Sequence, residues 1–363
     1  MLTLGRLARQ VQGVQQVLRD PLRKPLTRML GESLDVARRS RAVPAWYFLG
    51  FAYRRGTGPY ADYIVPDQYE RLKALWHSEH YAVLEDKLRF HERCSALGLA
   101  VPRLLAHNDR EEFRLGPDSR MVHDRESFAG LIGELCRESA SGSVFMKPVD
   151  GMQGTGCRRI DGTGVDLDAV YADAVAGRWL FQETVLQHAA LGAIYPHSVN
   201  TLRIVTCRPP GRAAVILGTV LRLGGAGRVV DNASQGGLFV GVDLATGVLH
   251  PNGHRFFKHG GDVVRVHPDT GYRFEGTVLP SFDRVLALVE DAAVQIAHKL
   301  IGWDIAVTPM GPVLIEGNTV PDIVILEIAH GRGLMAHPAL RELYAWVASR
   351  GRPTGPYRRP RLS

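Results

Sequence analysis

Four cysteines, Cys94, Cys136, Cys157 and Cys207, are too few and too scattered for a disulfide scaffold. No CxxC pair occurs among them, which removes structural zinc and thioredoxin-like readings and makes a reducing compartment the expected home. No apolar run approaches the roughly 18–20 residues of a membrane-spanning helix, and the first 20 residues mix apolar and polar positions in a way that leaves no signal-peptide core. The 39 glycines follow no three-residue period, so the chain is not collagen-like. There is no GxSxG and no cysteine in a nucleophile context, so serine and cysteine hydrolases find no support. These absences lead to the expectation of a cytoplasmic enzyme or binding protein.

What the chain does have is ordinary globular composition: 363 residues, 45% hydrophobic and 22% charged, enough for about two units with a sizeable core and too apolar for general disorder. Its net charge of +7 is unevenly placed. Nine Lys/Arg against Asp20, Glu32 and Asp35 put +6 in residues 1–41 and leave +1 for all the rest. A near-neutral body argues against specific nucleic-acid binding. Arg350, Arg352, Arg358, Arg359 and Arg361 make the tail basic as well.

Within the leader, Leu4, Leu7, Val11, Val14 and Leu18 recur at helical spacing until Pro21 and Pro25. The plainer reading is a helix packed on the body or on a second copy; the sharper one is an interfacial helix whose arginines meet anionic lipid. Residues 66–97 read as helical, with Tyr69, Leu72, Leu75 and Trp76 on one side. From about residue 143 the pattern changes to strand-length apolar runs: 143–149, 179–183, 200–207, 213–223 and 238–242. An amphipathic helix is expected over 281–301. Strands 302–308 and 312–316, joined by Pro309-Met-Gly-Pro312, read as a hairpin. The fold class implied is α+β.

Three features carry chemistry. A strand delivers Lys147 into Pro-Val-Asp-Gly151-Met-Gln-Gly154-Thr155-Gly156, a loop able to bring backbone N–H groups close to phosphate. It is neither a P-loop nor a dinucleotide fingerprint, and by itself is equally an ordinary hairpin turn. Asp304 with Glu316-Gly-Asn318 offers two carboxylates and an amide oxygen, a hard site suited to Mg²⁺ beside nucleotide phosphates. Arg203, in Asn200-Thr-Leu-Arg, either enters a cleft to stabilise a transferring phosphoryl group or sits on the surface in an ion pair.

Together these pieces resemble an ATP-grasp enzyme. The matching residues are Phe145-Met-Lys147-Pro with its glycine loop, Phe181-Gln182-Glu183, Asn200-Thr-Leu-Arg203, and Asp304 twelve residues before Glu316-Gly-Asn318. More narrowly, Gln187-His188, Ser198-Val-Asn-Thr-Leu-Arg203, Asp231-Asn-Ala-Ser-Gln-Gly-Gly237 and Gly302-Trp-Asp-Ile-Ala-Val-Thr308 are similar to the sugar-transfer-associated ATP-grasp group. The likeness spans roughly residues 80–335.

It implies an ATP-grasp fold, two α+β subdomains gripping ATP, behind a helical basic region (residues 1–79). The grasp region would run over 80–345, with a lid at about 120–183 and a C-terminal subdomain at about 184–345, followed by a Pro/Arg-rich tail (346–363). Lys147 and Lys87 would bind the phosphates, with Gly151, Gly154, Thr155 and Gly156 closing over them. Gln182 and Glu183 would lie at the adenine and ribose end. Arg203, with Lys147, would be catalytic. Asp304, Glu316 and Asn318 would hold one or two Mg²⁺, with Mn²⁺ as a substitute. His188, Asn200, Asp231, Asn232, Gln235 and Gly237 would lie by the substrates, with His188, His197 and Asp231 the only candidates for a general base.

The activity implied is ATP-dependent joining of a carboxylate to an amine on a sugar-related or small metabolite, in polysaccharide or glycoconjugate work. The alternatives are phosphotransfer from the same nucleotide site and a non-catalytic nucleotide-binding protein tethered by its leader. Peripheral membrane contact and self-association through the leader are further expectations. One departure from many ATP-grasp enzymes is the helical reading of residues 1–80, where those enzymes place an α/β substrate domain.

Overall fold

The apolar runs after residue 100 become the strands of two antiparallel sheets in a computed structural model that describes residues 12–40, 45–150, 155–161, 164–227, 231 and 233–350. The first sheet comprises β1 (Leu104–Asp109), β2 (Glu112–Leu115), β3 (Asp118–Met121), β4 (Val144–Pro148), β5 (Arg158–Ile160) and β6 (Arg178–Glu183). Their spatial order is β3-β2-β1-β6-β4-β5. The second comprises β7 (Leu202–Cys207), β8 (Val215–Leu223), β9 (Leu238–Val242), β10 (Leu249–His254), β11 (Val263–Val264), β12 (Leu300–Thr308) and β13 (Gly311–Thr319), in the order β11-β10-β9-β8-β7-β12-β13. The architecture is α+β.

Period-2 alternation decides what covers each face of the second sheet. Ile204, Leu221, Val240, Ile301, Trp303 and Ile305 point to one side, where the helix Phe282–Gln295 adds Val285, Val289 and Ala292. Val205, Val220, Phe239 and Leu300 point to the other, under the helices Val324–His330 and Pro338–Ser349. The first sheet buries Phe113, Met146, Phe181 and their neighbours against helices Arg125–Glu138 and Leu167–Ala176.

The helix expected over 281–301 stops at Gln295. His298 ends it: its buried ring accepts the Leu300 N–H at Nδ1 and reaches the Leu75 carbonyl with Nε2, 3.1 Å away, turning the chain into β12. Ile296 and Leu300 are both buried, so the apolar period runs on past the helix and hides its end. Residues 66–97 are helical in pieces: Pro66–Leu72, a 3-10 turn Lys73–His77, Tyr81–Glu85 and Lys87–Ala96, the last capped by the Asp86 carboxylate, which accepts the Leu88 and Arg89 N–H groups.

The N-terminal region shares its core with the second sheet. Trp46, Tyr47, Phe51, Tyr53 and Tyr63 are buried in one cluster with Val220, Phe239, Leu326, Ile328 and Leu340. At the seam lies Glu327, 1% exposed, whose Oε1 accepts the backbone N–H of Ile64 and of Leu334, each at 2.9 Å. Of the expected leader helix, residues 12–19 are described and helical. They pack through Val17 and through Gln16, whose side-chain amide donates to the Phe257 and Gly260 carbonyls. Val14 and Leu18, expected on the packing face, are 59% and 49% exposed instead; Leu4, Leu7 and Val11 lie outside the described residues. The helix Pro338–Ser349 runs beyond residue 345, and the tail from 351 is likewise outside the described residues. No helix among the described residues is long and apolar enough to cross a membrane.

Candidate active site

The strands β7, β12 and β13 lie side by side, and their register sets Arg203 opposite Asp304 and Asp304 opposite Glu316. Paired residues of an antiparallel ladder share a face, so the three side chains form one row across the sheet. A bulge between Asp304 and Ile305 is essential to this row. Ile305 pairs with Leu314, so an unbroken ladder would place Ile315 opposite Asp304; the extra residue brings Glu316 there. Asn318, two residues on, turns to the same side with its amide 3.1 Å from Glu316 Oε1.

Asp304 is 1% exposed and is clasped by two guanidiniums. Arg203 donates from Nε to Oδ1 and, at 3.1 Å, from a terminal nitrogen to Oδ2. Arg222 donates to Oδ2 at 3.0 Å. Burial raises the Asp304 carboxyl, but these two cations overcome it and hold the group at about 2. Glu316 moves the other way, pushed up by burial and then by the Asp304 charge beside it. Two carboxylates of unlike acidity with an amide alongside fit a hard divalent cation, which favours oxygen ligands and would relieve their mutual repulsion. Among the described residues no cluster of three or more His, Cys, Asp or Glu offers a competing metal site.

The first sheet closes over this row. Lys147 leaves β4 with 5% exposure and its Nζ lies 3.5 Å from the Ile315 carbonyl, in the strand that carries Glu316. Burial brings its ammonium down to about 8, against the Glu316 carboxylate, which raises it; the Lys87 charge nearby lowers it further. Lys87 opens the helix Lys87–Ala96, and its backbone N–H bonds to the Val149 carbonyl. The glycine loop joins β4 and β5, whose pairing is antiparallel, so it caps a hairpin. Thr155 and Gly156 form its described end, both exposed, with Gly156 at φ +79 against Trp179; Gly151 and Gly154 lie outside the described residues.

The remaining expected residues divide into two groups. Asp231 belongs to the row: its Oδ2 accepts from the backbone N–H and hydroxyl of Thr201, and its Oδ1 stands 3.5 Å from Arg222. Gln182 is buried in β6, 3.4 Å from the Pro102 carbonyl and from His91, and Glu183 Oε1 accepts the Ala140 N–H. Gln235 lies in the short turn Ala233–Gln235, Gly237 follows buried, and Asn232 is outside the described residues. Asn200 is fully buried and holds the 187–200 loop, donating to the Leu191 and Tyr195 carbonyls and to Gln187. His188 caps the helix Ala189–Ile194, its Nδ1 accepting the Ala190 N–H.

Arg222 is the site residue that the sequence reading passed over. It bonds to Thr201 Oγ1 through two nitrogens, and reaches Asp231 and Asp304 with one of them. Its signal was available: one charged residue in the otherwise apolar strand Val215–Leu223.

Residues 170–342 match the family described as sugar-transfer associated ATP-grasp. Solved structures that align with the chain include D-alanyl-alanine synthetase A of Vibrio cholerae O1 biovar eltor, at 14% identity over 75% of this chain and 66% of that one, with a TM-score of 0.45. The VanG D-Ala:D-Ser ligase of Enterococcus faecalis aligns at 12% identity over 73% and 61%, TM-score 0.43. A biotin carboxylase of Campylobacter jejuni, solved as a β,γ-ATP complex, aligns at 10% identity over 76% and 48%, TM-score 0.45. This chain therefore spans less than two thirds of each of those proteins. No curated protein matches it.

Proposed function

We propose that this chain, an ATP-grasp protein close to the sugar-transfer associated group, is an ATP- and Mg²⁺-dependent ligase that activates a carboxylate and joins it to an amine. The observation that carries this reading is the row Arg203–Asp304–Glu316 on one sheet facing Lys147 on the other. In this reading the first sheet, which starts at Leu104 and not at about 120 and ends at Glu183, is the lid, and 184–345 holds the metal-binding subdomain. Lys147 and Lys87 take the nucleotide phosphates, Thr155 and Gly156 belong to the loop that covers them, and Gln182 and Glu183 line the adenine and ribose end. Asp304, Glu316 and Asn318 hold Mg²⁺, which supplies charge neutralisation on the phosphate oxygens.

The chemistry follows in two steps. A substrate carboxylate oxygen attacks the γ-phosphorus of ATP, the bond to the β-phosphate oxygen breaks, and ADP leaves. The amine nitrogen then attacks the acyl carbon, the acyl carbon–oxygen bond breaks with its electron pair going to the departing phosphate, and the nitrogen loses its proton to solvent. Arg203 and Arg222 offer guanidinium N–H groups to the charge that builds on the transferring phosphoryl group and the acyl phosphate. Lid closure keeps water from the acyl phosphate. Asp231, beside Arg222, faces the acceptor end. A sugar-related acceptor is part of the proposal through the family name alone.

The test is ADP release from Mg-ATP with pooled small carboxylates and hydroxylamine as the trapping amine. The expected result is hydroxamate formed in step with ADP, and reduced at least about 100-fold in Glu316→Gln. A phosphorylated product without hydroxamate would replace the ligase by a phosphotransferase on the same site. Failure of the chain to bind Mg-ATP at all would remove both.

A further inference from the structure

The leader region sorts its charges by side. Its three acids all turn inward. Asp20 accepts from Tyr53 Oη and Arg54 Nε; Glu32 accepts from Lys24, Arg28 and Tyr47; Asp35 accepts from Tyr60 Oη. The helix Leu26–Ser40 rests on the body through Met29, Glu32 and Val36. Facing solvent instead are Leu26, Leu30 and Leu34, 51%, 63% and 49% exposed, one turn apart along the helix. Val14, Leu18 and Leu22 continue the same four-residue spacing on the preceding segment and are exposed as well.

Between the helix of residues 12–19 and the helix Leu26–Ser40, at the elbow Pro21–Pro25, opens a cavity of about 450 Å³. Leu18, Arg19, Arg23 and Arg55 line it. Arg23 and Arg55 donate to the backbone carbonyls of Leu18 and Pro21. None of the three arginines has a carboxylate partner among the described residues. The cavity's other charged residues, Lys24 and Asp20, are already paired with Glu32 and Arg54. The elbow thus presents three arginines without a carboxylate partner among the described residues, between two segments that each expose three apolar side chains.

We propose that this surface docks on an anionic phospholipid bilayer, with a lipid phosphate in the elbow and the exposed leucines and valine of the two flanking segments in the headgroup–acyl boundary. Apolar side chains along an arginine-bearing face, with no opposing acid, are the makings of an interfacial helix. A second copy is a poorer occupant, because the patch's one acid, Asp20, is already paired with Arg54 and leaves none to meet the arginines of a like patch. The proposal is independent of the ligase reading.

The experiment is flotation of the full chain with phosphatidylcholine vesicles, with and without phosphatidylglycerol. Co-flotation is expected with the anionic vesicles, falling as NaCl is raised, and is expected to be at least about tenfold weaker with phosphatidylcholine alone. Each of Arg19→Ala, Arg23→Ala and Arg55→Ala should weaken binding about fivefold. Leu22→Glu with Leu30→Glu should abolish it while leaving the thermal unfolding midpoint and Mg-ATP binding unchanged, which separates lipid docking from misfolding and from the nucleotide site. No flotation of the wild-type chain, equal flotation with neutral vesicles, or undiminished flotation of the double glutamate variant would each overturn the proposal. So would a wild-type dimer that becomes monomeric in that variant without any lipid binding.

Discussion

Replacing Glu327 by Gln should make the protein more stable at alkaline pH and leave it unchanged in acid. Burial pushes the Glu327 carboxyl from its ordinary 4.5 up to about 8, outweighing the two backbone N–H groups that favour its charge. A folded state that holds a proton more tightly than the unfolded chain loses stability as pH rises between those two values. Below pH 4.5 the group is neutral in both states and costs nothing; above about 8 it is charged in both, and the full penalty stands. That interval corresponds to about 5 kcal/mol at most. With an unfolding entropy of about 2 cal/mol/K per residue, a chain of this length should show a shift of about 6 °C. Gln keeps a carbonyl oxygen for the Ile64 and Leu334 N–H groups and cannot ionise. Thermal unfolding of both proteins from pH 5 to 9 should give coincident midpoints near pH 5 and a Glu327→Gln midpoint about 6 °C higher at pH 9. Parallel profiles, or a deficit that does not vary with pH, would refute the account of a neutral buried carboxyl.

Two further outcomes concern the site. Lys147 carries its charge below about pH 8 and loses it above, so kcat/KM for ATP should fall as pH rises through 8. Lys147→Arg should lower the plateau but remove that limb, since a guanidinium stays charged; an unmoved limb would assign it elsewhere. Arg222→Met strips one of the two cations from Asp304 and the cation beside Asp231. ADP release should drop about 100-fold or more, and denaturant unfolding should show a loss of about 3–5 kcal/mol; unchanged turnover would make Arg222 purely structural.

The hairpin at the centre of the site was legible because its turn, Pro309-Met-Gly-Pro312, and its two apolar runs carry local signals that tertiary packing did not override. The twelve-residue step from Asp304 to Glu316 was legible as a spacing, but the bulge that makes them cross-strand neighbours was not. Arg203 could be read either way from its strand; only the register of β7 against β12 pairs it with Asp304. Strand β3 went unread for a different reason. Asp118–Met121 is exposed throughout and has no apolar alternation, so nothing in its composition separates it from a loop. Glu327 stood in Val324-Ile-Leu-Glu-Ile-Ala-His330 as an interruption of an apolar run, without a sign that its partners lie at Ile64 and Leu334. Over residues 12–19 the leader is helical as expected, but Val14 and Leu18 do not lie on its buried side, because a 3.6-residue stripe names a face without saying what meets it.

The core that joins the first eighty residues to the helices Val324–His330 and Pro338–Ser349 has a consequence for how the chain is made. Ile64 leaves the ribosome 263 residues before Glu327, the side chain that accepts its N–H. At about 5–20 residues per second that is a wait of some 13–50 s, during which Trp46, Tyr47, Phe51 and Tyr53 have one another and local partners such as Glu32 and Asp20 but not Leu326, Ile328 and Leu340. Closure over so long a separation comes late and slowly. Synthesis therefore passes through a stage in which the aromatic cluster is packed on one side only, and among the described residues the last helix to emerge, Pro338–Ser349, is the one that completes the first part of the chain.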